Sequence, residues 1–141
     1  MTSGSTRPGF SLAEILIAVA IMAILSAIAI PTFLSYQNRA RKTNASATVQ
    51  AIKTAIQSYN TDTGAWPTTL TDLVRKPADE KAARRWQGPY LEGDEIPEDP
   101  WNESYQYKLT PGAPRPFELY SFGPNGSQGT QSERIDAWSS R

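Results

Sequence analysis

Apolar residues fill one long stretch near the start of the chain, residues 10–30, in which the only polar residues are Ser11, Glu14 and Ser26. The stretch is 21 residues long, which gives about 30 Å as a helix and matches the hydrocarbon core of a bilayer. We therefore predict a transmembrane helix over residues 10–30, preceded by a polar leader over residues 1–9.

The pattern changes after Pro31, which removes one backbone donor and is expected to kink the helix. Further along, apolar residues recur at spacings of three, four and three, as they do on one face of a helix. We predict an amphipathic continuation over residues 31–64, ended by Gly64. Its apolar stripe consists of Val49, Ile52, Ile56 and Tyr59.

Two segments of the remaining chain alternate with a period of two, as strands do: residues 105–109 and residues 117–122. A turn around Pro111 and Gly112 should join them as an antiparallel hairpin. Residues 123–141 are rich in Gly, Ser, Asn and Gln, which predicts a loop. The fold class that follows is α+β, with one long N-terminal helix packed on a small antiparallel sheet.

The connection between the long helix and the hairpin carries weaker signals. Thr69 and Asp72 resemble a capping box and predict a short helix there. Residues 75–87 are strongly charged, which favours a solvated loop or a helix surface, with a partner-binding patch as the alternative. Together with the hairpin and the tail, this connection forms a globular region over residues 65–141.

Composition removes several classes of function. The chain has no cysteine and no histidine, so disulfides, zinc fingers, thiol catalysis and histidine acid–base chemistry are excluded. The formal net charge is zero, and no nucleic-acid partner is expected. No nucleophile–base pair or glycine-rich phosphate loop appears, so we predict that the protein is not an enzyme and has no catalytic residues.

Glu14 is the most informative residue of the apolar stretch. A carboxylate that faces lipid without a partner costs about 2 kcal/mol or more. If a peptidase cuts after Gly9, Phe10 acquires a free amino group at the helix end. That cation could meet the buried carboxylate of a neighbouring copy, which favours self-assembly.

The stretch from Gly9 to Glu14, followed by the apolar run and Pro31, resembles the type IV pilin and pseudopilin superfamily; it reads Gly9-Phe10-Ser11-Leu12-Ala13-Glu14. The resemblance implies cleavage by a prepilin peptidase between Gly9 and Phe10, N-methylation of Phe10, and subunit docking through Glu14. The alternatives are a signal anchor with one stray acid and an ordinary signal peptide, for which the apolar run is too long.

The globular part resembles the major pseudopilin family of type II secretion systems. The matching motifs are Trp66-Pro67-Thr68-Thr69-Leu70, Gly88-Pro89-Tyr90-Leu91, Asp99-Pro100-Trp101, Tyr105-Gln106-Tyr107 and Phe122-Gly123-Pro124-Asn125-Gly126. This resemblance implies a structural subunit that polymerises with itself into a periplasmic pseudopilus, which drives export of folded proteins across the outer membrane. The implied partners are minor pseudopilins, the inner-membrane secretion platform and the prepilin peptidase. The alternatives are a type IV pilin of a surface fibre, used for adhesion, motility or DNA uptake, and a membrane-anchored enzyme or ligand-binding module.

The resemblance also implies a location: the bacterial inner membrane, crossed once, with the globular region in the periplasm. The charges flanking the apolar run give the opposite signal. Arg7 precedes the run, whereas Arg39, Arg41 and Lys42 follow it, and cations normally mark the cytoplasmic side. We follow the resemblance, because these cations begin nine residues beyond the run and are few.

A calcium site in the C-terminal loop is the last implication of the resemblance. The family's turn aspartate falls on Asn125, its two successive acids fall on Ser132 and Glu133, and its carbonyl donors fall near Phe122 and Asp136. Two of the three acidic positions are therefore neutral here, and calcium affinity falls with ligand charge. The residues favour a loop closed by hydrogen bonds and by packing of Ile135 and Trp138, so no cofactor is certain.

Overall fold

The structure is a computed structural model that describes residues 9–139. The chain divides into two compact units, Met1–Gln37 and Asn38–Arg141. Helix α1, Leu12–Thr63, is 52 residues long and contributes to both. The predicted leader lies outside the described residues except for Gly9, and the predicted end of the membrane-spanning segment at residue 30 stays a prediction.

The first part of α1 contains Pro31 without a break in the helix. Proline has no N–H group, so the carbonyl of Ala27 lacks its usual donor four residues on. Just beyond, the Thr32 hydroxyl donates to the Ile28 carbonyl at 2.9 Å, and the Ser35 hydroxyl donates to the Thr32 carbonyl at 2.8 Å. The helix continues through Pro31, and a kink there stays a prediction.

The second part of α1 supplies one wall of the hydrophobic core. The predicted stripe of Val49, Ile52, Ile56 and Tyr59 is buried throughout, with at most 2% of any of these residues exposed. The helix ends at Thr63, and Gly64 follows with a φ of 75° and its N–H donating to the Asn60 carbonyl at 2.9 Å. Glycine tolerates this left-handed conformation, which confirms it as the predicted stop.

The sheet has three antiparallel strands in the order β1-β2-β3. These are β1, Gln106–Leu109, β2, Phe117–Ser121, and β3, Ile135–Asp136. The predicted hairpin is confirmed by the pairing of Tyr107 with Leu119. The prediction that the whole tail is a loop was wrong in part, because Ile135 pairs with Ser121 and two short 3-10 helices, Gly126–Gln128 and Gln131–Glu133, precede it.

The connection from α1 to the sheet contains a 3-10 helix, Leu70–Leu73, and a short helix α2, Glu80–Arg85. The Asp72 carboxylate accepts from the backbone N–H groups of Thr68 and Thr69 at 2.8 and 3.0 Å, which is the carboxylate half of the predicted capping box. The Trp86 indole N–H donates to the Asp72 carbonyl at 2.8 Å and fixes this turn against the segment after α2.

Phe117 lies at the centre of the aromatic core and is fully buried. Its ring centroid lies 5.5 Å from that of Trp66, 5.8 Å from that of Tyr107 and 5.2 Å from that of Trp138. Such tilted pairs contribute roughly 0.5–1.5 kcal/mol each beyond the burial of their area. The Trp138 indole N–H also donates to the Phe117 carbonyl at 2.9 Å, so the C-terminal segment is fixed directly to β2.

We expect residues 32–141 to fold without the apolar run, and Ile56→Asp to abolish that fold. Ile56 is fully buried in the core, where an unpaired carboxylate has no compensating partner. Thermal unfolding followed by circular dichroism should lose its cooperative transition. Gln57→Asp, on the exposed side of the same helical turn, should melt close to the parent, and a cooperative transition in the Ile56→Asp variant would contradict the assignment of the core.

We expect Tyr107 to limit stability at alkaline pH. Burial raises the pKa of its phenol, with Asp72 and Tyr59 adding to the shift, and its hydroxyl donates to the Pro67 carbonyl at 2.8 Å. Since the folded pKa exceeds the unfolded value of about 10, this contribution is complete below that pH and is lost above it. In urea titrations, Tyr107→Phe should flatten the alkaline fall in unfolding free energy; a profile equal to the parent's would refute the assignment.

Candidate functional site

The first turn of α1 holds the predicted assembly residues. The Ser11 backbone N–H donates to Glu14 Oε2 at 2.9 Å, and the Glu14 backbone N–H donates to Ser11 Oγ at 3.2 Å. This reciprocal pair is a capping box, which satisfies two of the free donors at a helix start. The Glu14 carboxylate therefore reaches back to the residue that follows Phe10.

The surface of α1 around Glu14 is apolar and exposed. Every described residue from Gly9 to Gln37 is exposed, and Phe10 is 85% exposed. By length and composition this part of α1 is apolar enough to cross a membrane. Contiguous apolar surface of this extent marks a site that lipid or another protein covers.

A buried carboxylate, Asp99, joins three parts of the globular unit. It is 4% exposed and accepts from the Ser121 hydroxyl at 2.5 Å and from the backbone N–H groups of Trp101 and Glu103 at 2.9 and 3.0 Å. Ser121 Oγ in turn accepts from the Gly123 N–H at 3.0 Å. Asp99 thus holds the turn before β1 against the end of β2, where the C-terminal loop begins.

The structure brings two of the five predicted calcium ligands into direct contact. Asn125 Nδ2 donates to Glu133 Oε1 at 2.7 Å, and the Thr130 N–H donates to Glu133 Oε2 at 2.8 Å. The Thr130 hydroxyl lies 3.2 Å from the same oxygen. These contacts lower the pKa of Glu133, with the backbone hydrogen bond from Thr130 as the largest cause and Lys42 contributing through its charge.

The other three predicted ligands point to different partners. Ser132 Oγ lies 2.9 Å from Thr130 Oγ1, and the Phe122 ring lies against the Arg134 guanidinium at 5.7 Å. Asp136 lies in β3, where its Oδ1 accepts from the Trp138 N–H at 2.6 Å and its carbonyl accepts from the Ser139 hydroxyl at 2.9 Å. Hydrogen bonds within the C-terminal segment therefore engage the four polar side chains of the predicted set, those of Asn125, Ser132, Glu133 and Asp136.

Acidic side chains do not cluster in the part of the chain that the structure describes. Within residues 9–139, no group of three or more His, Cys, Asp or Glu side chains is arranged to hold a metal ion. Calcium takes six to eight oxygen ligands, several of them charged. Calcium binding by this loop stays an implication of the resemblance.

Two further anchors of the C-terminal segment were missed from the sequence. Lys53 Nζ and Gln50 Nε2 both donate to the Ala137 carbonyl, at 3.0 and 3.1 Å. The same ammonium lies 3.9 Å from the centroid of the Trp138 ring. Both residues lie beside the apolar stripe of α1, a position that by pattern alone indicates only a solvated face.

Comparisons with known proteins match the N-terminal apolar segment and the rest of the chain to two separate family models. Residues 32–139 match the family model described as "Type II secretion system (T2SS), protein G", and residues 5–30 match "Prokaryotic N-terminal methylation motif". The chain belongs to the type II secretion protein G family. The resemblance to this family inferred from the sequence is thereby confirmed.

Relatives of the family match the chain over nearly its full length. It is 38% identical over 134 residues to the type II secretion system core protein G of Pseudomonas aeruginosa, with 92% of each chain covered. It is 30% identical over 133 residues to the same protein of Vibrio cholerae, covering 92% of this chain and 89% of that one.

A solved structure confirms the predicted fold class. The major pseudopilin from the type 2 secretion system of enterohaemorrhagic Escherichia coli matches with a TM-score of 0.60 and 28% identity, covering 74% of this chain and 88% of that one. The protein G family consists of structural pseudopilin subunits.

We expect Asp99→Ala to destabilise the globular unit by about 3 kcal/mol, because three donors lose a charged, buried acceptor. Urea unfolding followed by tryptophan fluorescence would measure the loss. Glu98→Ala removes an exposed carboxylate next to it and should change stability little. Equal midpoints for the two variants would show that Asp99 is not the residue that joins these segments.

Proposed function

We propose that this chain is a structural subunit of a type II secretion pseudopilus that assembles through the first part of α1. The observation that carries the proposal is the uncovered apolar surface of residues 10–30 with Glu14 as its one carboxylate. Lipid covers such a surface in the unassembled subunit, and neighbouring copies cover it in a filament. The family match favours this function over a surface fibre of type IV pilins.

Processing creates the charge that Glu14 needs. Cleavage between Gly9 and Phe10 would leave a free ammonium on Phe10, one residue before the capping box at Ser11. Methylation of that nitrogen, a separate step that needs a methyl donor, would leave its positive charge in place. The match of residues 5–30 to the methylation motif supports this step. The cation of one subunit and the carboxylate of its neighbour then offset each other's desolvation inside the membrane.

The location and partners follow from the same arrangement. The apolar part of α1 anchors the subunit in the inner membrane by a single crossing, with the globular unit in the periplasm. The partners are further copies of this chain, minor pseudopilins, the inner-membrane platform and the prepilin peptidase. A catalytic role is not part of the proposal, because the residues of the globular unit described above serve packing and loop closure.

We expect Glu14→Ala to remain processed and inserted but to assemble filaments poorly, because the Phe10 ammonium of the neighbour loses its partner. Glu14→Gln keeps the side-chain size and removes only the charge, so it should fail equally. Shearing and immunoblotting of cells that carry the secretion system would measure assembly. Mass spectrometry of membrane-extracted protein should show a methylated Phe10 terminus in all three forms.

Two results would contradict this account in different ways. Filaments of the Glu14→Ala variant at the parent's level would show that the carboxylate is not a docking group. An intact Met1 terminus in a host that carries the peptidase would instead remove the processing step, whatever the effect of Glu14.

A further inference from the structure

The C-terminal loop, residues 123–134, is closed around one carboxylate, that of Glu133. Asn125 Nδ2 donates to one of its oxygens, while the Thr130 N–H and hydroxyl approach the other. A carboxylate has no proton to donate at neutral pH, so the Asn125 amide must present its N–H group to it. Both oxygens of Glu133 are therefore engaged by donors within the loop.

The close approach of the two ends of the loop leaves little room between them. Gly123 has a φ of 81°, and a Cβ built there would lie 2.5 Å from the Glu133 carbonyl oxygen. Only glycine allows this contact. The Gly123 N–H donates to Ser121 Oγ at 3.0 Å, so the start of the loop is fixed to the end of β2.

A protein cation fixes the segment just after the loop. The Lys53 ammonium donates to the Ala137 carbonyl at 3.0 Å and lies over the Trp138 ring. Ala137 is 2% exposed, and charge-assisted hydrogen bonds of this kind are about twice as strong as neutral ones. Lys53 thus ties the end of the loop to α1 through a backbone carbonyl.

We propose that protein donors hold the C-terminal loop of this chain closed in place of calcium, with Asn125 and Thr130 on Glu133 at one end and Lys53 and Gln50 on Ala137 at the other. The loop geometry and the neutral residues at Asn125 and Ser132 carry this proposal, and it does not depend on filament assembly. Calcium binding would have to displace the donors on Glu133, and the neutral Asn125 and Ser132 would add no charge to the site.

The direct test uses the full-length protein in detergent micelles, melted in millimolar calcium chloride and again in excess EGTA, with tryptophan fluorescence as the readout. We expect the two melting temperatures to agree within about 1 °C, since a ligand that does not bind the folded state adds no stability. A cation held at a hundred times its dissociation constant would raise the midpoint by about 10 °C or more. A calcium-dependent rise of that size would overturn the proposal.

Variants of the loop test the donors themselves. Asn125→Ala removes the amide that holds Glu133 and should lower the melting temperature equally in calcium and in EGTA, while Gln128→Ala, an exposed change in the same loop, should not. Asn125→Asp faces Glu133 with a second carboxylate, so its melting temperature should fall in EGTA and recover in part with calcium. An Asn125→Asp variant as stable as the parent in EGTA would contradict the role of the amide.

The contact of Lys53 with Ala137 is tested separately by limited proteolysis of the C-terminal segment with a protease that cleaves after arginine and lysine. Lys53→Met keeps the aliphatic stem and removes the ammonium, so we expect cleavage after Arg134 to become faster in both calcium and EGTA. Lys81→Met, an exposed change on α2, is the matched control. Equal cleavage rates for parent and Lys53→Met would show that the ammonium does not hold the segment.

Discussion

Burial of one face of α1 is the constraint on which the rest of the globular unit depends. The sheet has three strands, and β3 is only two residues long. A sheet this small is not stable in water unless another element covers one of its faces. The stripe of α1 covers it, and Ile52 and Ile56 share one core with Phe117 and Leu119. Each large side chain that is buried contributes roughly 1.5–3 kcal/mol.

The polar contacts complete this core by fixing the segments that have little regular structure. Asp99 fixes the turn before β1 to the end of β2, and through Ser121 it also fixes the start of the C-terminal loop. Lys53, which lies on α1, then fixes the end of that loop by a hydrogen bond to the Ala137 carbonyl. Both charges are compensated by hydrogen bonds, which is the condition for placing them in or beside a core.

The first part of α1 differs from the second in how its apolar residues are distributed around the helix. Apolar residues occur all around it from Phe10 to Ile30, whereas the second part is apolar on one stripe only. A helix that is apolar all round is suited to lipid or to a helix bundle. One continuous helix can therefore anchor the subunit and offer it to neighbouring copies, while its second half completes the folded unit.

The elements with a periodic pattern of apolar residues were predictable from the sequence. The stripe from Val49 to Tyr59 and the alternation in β1 and β2 each repeat a pattern over several residues. Gly64 is a single-residue helix stop, and the family motifs indicated the fold class. Strand β3 was not predictable, since two residues between Gly- and Ser-rich stretches carry no period, and its pairing with β2 is a tertiary effect.

Single contacts across the fold were equally hidden in the sequence. Asp99 sits among prolines and acids that indicate a turn, and nothing local shows that Ser121 is its partner 22 residues on. Lys53 lies off the apolar stripe, so only the position of Ala137 reveals its role. The neutral Asn125 and Ser132 did argue against calcium from the sequence alone, but the donors on Glu133 required the structure.

Oxidative cross-linking of single-cysteine variants tests the central claim, that the two parts of α1 are covered by different partners. The chain has no native cysteine, so each introduced thiol reports on one position. In membranes of cells carrying the secretion system, Leu16→Cys and Ile24→Cys should yield disulfide-linked dimers of this chain, and Ile52→Cys should not. Dimers of the Ile52→Cys variant at a similar yield, in folded protein, would contradict the account.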